Sequence, residues 1–142
     1  MNEDTIRLEV ITPHGPVLHD MISSLTAPAT LGSLGVLPNH APLLTTLDTG
    51  LLNYKKSGQE VSVIALDTGL MEVNDNHVLV LVQAAEKAQE IDLPRAEASL
   101  ARAKERLASP AKDIDLPRAE ASLKRALNRI KASPASPQGS RN

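Results

Sequence analysis

The sequence predicts an α+β chain: an all-β body, a sandwich or barrel, followed by a two-helix hairpin. Three observations predict it. Before about residue 86, apolar residues recur with period two between short Gly, Pro, Asn and Asp punctuation. After it the composition turns to Ala, Leu, Glu, Lys and Arg. The ten-residue string Ile-Asp-Leu-Pro-Arg-Ala-Glu-Ala-Ser-Leu then occurs twice, at Ile91–Leu100 and Ile114–Leu123. Two copies are too few for a solenoid and read as a pair of similar helices. The organisation that follows is a β domain over 1–86, a helical hairpin over 87–132 and a disordered Ser/Pro/Gly tail over 133–142.

Taken in order, Ile6, Leu8 and Val10 alternate with Thr5, Arg7 and Glu9, the pattern of a half-buried strand. Val61–Leu66 is apolar at most positions and reads as a strand covered on both faces. Leu70–Val73 and Val78–Val82 flank Asp75-Asn76, residues that tolerate the left-handed backbone of a tight hairpin turn. Several short strands with turns between them suggest a sandwich or barrel, marginal at about 85 residues without partners. In the helical region Asp92 and Asp115 are placed to cap free N–H groups, and Pro94 and Pro117 fall in the first turn, where a missing N–H costs nothing. Ser109–Asp113 is a connection short enough to force the helices antiparallel. Leu93, Ala96, Leu100, Ala103, Leu107 and Leu116, Ala119, Leu123, Ala126, Ile130 are spaced 3,4,3,4, a heptad seam in which alanines allow close approach. The seam is short. A buried Leu contributes about 1.5–3 kcal/mol against about 1–2 kcal/mol per residue of backbone ordering, so such a hairpin alone is marginal and suited to movement.

Composition narrows the function. Tyr54 is the only aromatic residue, so a base-stacking platform for nucleic acid is missing. Lys plus Arg number 15 and Asp plus Glu 17, a net charge of -2 that argues against nucleic-acid or membrane-surface binding. There are no cysteines, which removes disulfides, thiolate catalysis and thiolate-bound metals. The acidic start does not read as a signal peptide, and no run approaches the ~20 apolar residues of a membrane helix. The four histidines, His14, His19, His40 and His77, show no metal-ligand spacing, so no metal site is expected. His40 with Asp48 or Asp67 would be the raw material of a small hydrolase, but no activated nucleophile motif accompanies them. Gly32–Pro42 holds two glycines, two prolines and an imidazole, with Leu34, Val36 and Leu37. It reads as a stiff apolar docking loop, or alternatively as a loop whose Val36 and Leu37 enter the core and whose His40 bonds to backbone.

Gly-Ser-Leu-Gly-Val-Leu-Pro-Asn-His-Ala-Pro-Leu-Leu-Thr-Thr-Leu-Asp-Thr-Gly at Gly32–Gly50, and the stretch Gly69–Glu86, resemble the signature segments of bacterial F-type ATP synthase epsilon subunits, and the resemblance extends over residues 5 to about 132. It implies a flattened ten-stranded β-sandwich followed by an antiparallel two-helix hairpin. It implies a non-catalytic rotor and regulatory subunit at the cytoplasmic face of the cell membrane, reaching the membrane only through the complex. Its partners would be the gamma subunit and the c-subunit ring, met through Leu34, His40 and Pro42, and the alpha/beta catalytic subunits when the hairpin extends. Ser33 departs from many relatives, which carry an acidic residue there.

The resemblance also implies a regulatory ligand, with no cofactor required. Some bacterial epsilon subunits bind ATP through Ile-Asp-x-x-Arg-Ala and a later Arg. Ile91, Asp92, Arg95, Ala96 and Arg102 match, with Glu86 upstream and Arg129 on the second helix. Glu86 and Asp92 would face adenine and ribose, and the arginines the phosphates. No Gly-rich phosphate loop is present, so a nucleotide would be sensed and not hydrolysed. The alternative is an ordinary solvated helix face. The second helix carries a basic stripe in which Lys124, Arg125 and Arg129 match the residues that meet acidic segments of the catalytic subunits.

Overall fold

The computed structural model describes residues 4–108 and 115–134. The chain divides into two compact units, Met1–Lys87 and Ala88–Asn142. The first unit contains β1 (Ile6–Thr12), β2 (Gly15–Ile22), β3 (Ser24–Ala29), β4 (Gly32–Val36), β5 (Leu43–Leu47), β6 (Gly50–Lys55), β7 (Val61–Leu66), β8 (Gly69–Asn74), β9 (His77–Val82) and β10 (Ala85–Lys87). These ten strands form one ladder in the order β10-β7-β6-β3-β5-β8-β9-β1-β2, with β4 beside β3. All neighbours pair antiparallel except β1 and β9, which run parallel.

The ladder folds over one core because β3 changes partners. Ser24–Thr26 pairs with β6, and Ala29 then pairs with Leu47 of β5. Pro28, which has no N–H to give a ladder, stands at that switch, and its carbonyl accepts from the Asp48 N–H at 2.9 Å. The core runs through nine strands and is almost wholly aliphatic. Leu8, Val10, Leu52, Ile64, Met71, Val78 and Val80 are fully buried, and Tyr54 adds the single ring. Strands β1, β8 and β9 alternate inward and outward as period two requires.

The hairpin expected at Asp75-Asn76 is present, with φ of 51° and 56° at its two central residues. Two expectations need correction. Val61–Leu66 is covered on both faces only from Ile64 on; Val61 is exposed because it lies beside Lys55 at the open end of the β6–β7 pair. Gly32–Pro42 is not one loop. Its first half is β4, paired along β3, so Val36 is buried opposite Leu25 and Leu34 packs against the core, while Leu37 leaves the sheet and stays exposed.

The second unit opens with a 3-10 turn at Ala88–Glu90, then α1 (Leu93–Ala108) and α2 (Leu116–Ala132). Asp92 and Asp115 cap as expected: the Oδ1 of each accepts the N–H of the arginine three residues on, Arg95 and Arg118, at 3.1 Å. The helices pack on each other, and their buried residues are all alanines: Ala96 and Ala103 on α1, Ala119, Ala126 and Ala132 on α2. Ser133, read from the sequence as the start of the tail, is buried and closes α2, its N–H donating to Arg129 O and Ile130 O. The Ser109–Asp113 connection and the tail from 135 onward lie outside the described residues.

Candidate functional site

Strand register assembles a surface that no short stretch of sequence reveals. On the outer face of β5, β8, β9 and β1, Leu44 faces Glu72, Glu72 faces Leu79, and Leu79 faces Glu9. One step along, Thr46, Leu70, Leu81 and Ile11 form a second row. Leu44 is 68 % exposed, and Leu70 and Leu81 are each 44 % exposed. Leucines grouped in adjacent rows of one sheet face make a contiguous apolar patch of the kind that marks a docking surface. The signal was present in Val78–Val82, where inward valines alternate with outward leucines in place of polar residues.

The patch continues into a polar rim. A hollow lined by Pro42, Leu44, Glu72 and Asn74 adjoins one lined by Asn39, His40, Pro42, Asn74, Asp75 and Asn76. Leu37–His40 is a reverse turn, with Pro38 pre-setting the first central residue, Asn39 at φ 66° in the second, and the His40 N–H donating to Leu37 O at 3.2 Å. The His40 ring nitrogen Nδ1 lies 2.7 Å from Ala41 O, so the imidazole is tied to its own turn. Of the three docking residues read from sequence, His40 and Pro42 come together at this rim; Leu34 sits on β4 against the core. A hydrolytic pairing of His40 with Asp48 or Asp67 is ruled out by β5. His40 precedes Leu43 and Asp48 follows Leu47, placing them beyond opposite ends of a strand roughly 16 Å long. Asp67 also has other work, its Oδ1 accepting from Thr49 Oγ1 at 3.0 Å and from the Thr68 N–H at 2.8 Å.

Beside the leucines lies a charged corner. His77 Nε2 is 2.6 Å from Glu9 Oε2, and His19 is the register partner of Glu9 across the β1–β2 pair. The hydrogen bond from His77 holds the Glu9 carboxyl below the usual glutamate range, reinforced by the nearby charges of His77, His19 and Arg7 and opposed by desolvation. Glu9 and His77 are far apart in sequence; parallel pairing of β1 with β9 brings them together across 68 residues. Among the described residues no group of three or more His, Asp or Glu is arranged to hold a metal ion.

The residues matched to the ATP motif fall in both units. Glu86 lies on β10 opposite Ala65. In the helical unit Ile91 and Ala96 are buried, Asp92 is the helix cap, Arg95 is the third residue of α1, and Arg102 Nη2 donates to Ser99 Oγ at 3.1 Å. Lys124, Arg125 and Arg129 lie on α2. Capping by Asp92 fixes the start of α1.

Comparison with known proteins places this architecture. Residues 5–88 match the sequence profile described as ATP synthase, Delta/Epsilon chain, beta-sandwich domain, and residues 89–133 the one described as ATP synthase, Delta/Epsilon chain, long alpha-helix domain. The ATP synthase epsilon chain of Pelotomaculum thermopropionicum is 52% identical over 108 residues, 76% of this chain and 80% of that one. The epsilon chain of Geobacter sulfurreducens is 47% identical over 104 residues, 73% of this chain and 75% of that one. The fold is shared with a chain of the Euglena gracilis mitochondrial ATP synthase, solved with OSCP, F1 and the c-ring: TM-score 0.78 at 22% identity, covering 91% of this chain and 81% of that chain. It is shared more loosely with a chain of the Tetrahymena thermophila central stalk and c-ring, TM-score 0.59 at 18% identity, covering 94% of this chain and 99% of that chain. Both units of the chain are thus accounted for by one family, and the chain belongs to the ATP synthase delta/epsilon family, with bacterial epsilon chains as its relatives.

Proposed function

We propose that this chain is the non-catalytic epsilon subunit in the central stalk of a bacterial ATP synthase, with its β-sandwich docked on the gamma subunit and the c-subunit ring. The observation that carries the reading is the leucine surface of β5, β8 and β9, continuous with the His40–Pro42 turn. A rigid apolar sheet face with a polar rim is a suitable contact for transmitting torque, since packed strands deform little. Leu31, wholly exposed at the β3–β4 turn next to Ser33, supplies an apolar contact for the ring where relatives carry charge. No helix of the described residues is long and apolar enough to cross a membrane. In this reading the partners hold the subunit at the cytoplasmic face of the membrane. Replacing Leu70 and Leu81 by Asp together should weaken binding to the gamma subunit by about a hundredfold or more, measured by titration calorimetry. Unchanged affinity would remove this face from the interface.

The helical unit carries regulation in this reading. ATP binds through Asp92, Arg95 and Arg102, with Arg129 contributing, and favours the folded hairpin. A ligand shifts such an equilibrium only by its differential affinity for the two states. The extended hairpin presents Lys124, Arg125 and Arg129 to acidic segments of the alpha/beta catalytic subunits and blocks hydrolysis. The support is the motif match together with the all-alanine buried set, which leaves little apolar area to hold the helices in one place. Calorimetry of the isolated chain should show ATP binding that weakens about tenfold in Arg95→Ala, a loss of one charge-assisted contact. No heat at millimolar nucleotide would end the sensing role.

A further inference from the structure

Asn39 and Asn76 lie 37 residues apart in different turns, both with positive φ, and they hold each other. The Asn39 N–H donates to Asn76 Oδ1 at 2.6 Å, and Asn76 Nδ2 donates to Asn39 Oδ1 at 3.2 Å. The main-chain oxygen of Asn76 also accepts from the Arg7 N–H at 2.8 Å. One residue thereby joins the start of β1, the β8–β9 turn and the β4–β5 connection. Neither backbone conformation calls for asparagine, since glycine adopts positive φ more easily. What two asparagines add is the pair of amides across the gap.

The six residues between β4 and β5, Leu37 to Pro42, have no ladder of their own. Their internal bonds shape the turn without placing it: His40 N to Leu37 O, and His40 Nδ1 to Ala41 O. Among the described residues, the bonds to Asn76 are those that tie this segment to another element. A segment placed before encounter does not have to be ordered during it, and this raises affinity without any new contact. We propose that Asn39 and Asn76 are positioning residues, a clasp that holds the His40–Pro42 turn in register with the leucine face so that it meets the gamma subunit preformed. This rests on the docking reading above.

The test uses the full chain and the gamma subunit of its own synthase. Asn76→Gly removes both bonds of the clasp while easing the backbone, so the thermal midpoint should hold, whereas Asn39→Gly removes only the bond from Asn76 Nδ2 and keeps the N–H that donates to Asn76 Oδ1. Amide exchange at Asn39 should quicken roughly tenfold, the measure of one lost hydrogen bond. Binding to gamma should weaken about threefold to tenfold, chiefly through slower association. The double variant should be no weaker than Asn76→Gly, which already removes both bonds. Asn76→Asp, which keeps an oxygen for the Asn39 N–H, should bind within about twofold of the parent. Faster exchange with unchanged binding in Asn76→Gly overturns the proposal. Leu44→Asp tells the two ideas apart. If it weakens binding while Asn76→Gly does not, the clasp alone is wrong. If both bind as the parent does, the docking surface falls and the clasp's role falls with it.

Discussion

Glu9 shows how a single carboxylate can join distant parts of the sheet. It is hydrogen-bonded to His77 and faces His19, and its pKa is lowered below the ordinary 4.5 of a glutamate, first by the His77 hydrogen bond. A depressed folded pKa means that the unfolded chain takes up a proton first as pH falls. The contribution is therefore complete above about 4.5 and disappears as pH drops through the lowered folded value. The difference in urea midpoint between the parent and Glu9→Gln should accordingly be present at neutral pH and vanish in strong acid. A constant difference across that range would show that the carboxylate's charge plays no part. None of this was legible locally, because alternation says which residues face outward but not which outward residues become neighbours.

Strands illustrate what local pattern can and cannot reveal. β1 was readable from period two, β8 and β9 as apolar runs on either side of a turn, and the Asp75-Asn76 turn from residues that accept positive φ. β4 was not, since Gly32, Ser33 and Gly35 give it a loop's composition; it exists because β3 offers a complete edge to pair with. Close strand approach is also invisible in sequence. Gly69 faces Val82, and a Cβ added there would lie 2.0 Å from Leu81 O, inside a fixed backbone. Gly69→Ala should therefore cost about 3 kcal/mol, seen as an earlier urea midpoint, because neither strand can withdraw without breaking the β8–β9 ladder. The helices were the most legible elements: the repeated string encodes the same cap and proline twice, and the seam alanines are buried on both helices, although Leu116, expected in the seam, is exposed.

At the scale of the whole molecule, the chain divides into two units after Lys87, the last residue of β10. The proposed docking surface draws on four strands and two turns of the first unit, so it could not be read from any one motif; of the residues named from sequence Leu34 lies on β4, and Leu44, Leu70 and Leu81 become neighbours only through strand register. The division makes a functional prediction. In a reconstituted synthase, ending the chain after Lys87 should leave assembly intact and raise ATP hydrolysis severalfold, measured by coupled turnover. Unchanged turnover would exclude inhibition by the helices.

Tyr54 is the one aromatic residue among Phe, Trp and Tyr in the chain and is buried in the core of the sheet unit at 8 % exposure, while α1 and α2 have none. Near-ultraviolet dichroism therefore watches the sandwich alone, and far-ultraviolet ellipticity is weighted toward the helices. A single unlabelled sample, heated once and followed at both wavelengths, reports whether the helices melt before the body that carries them.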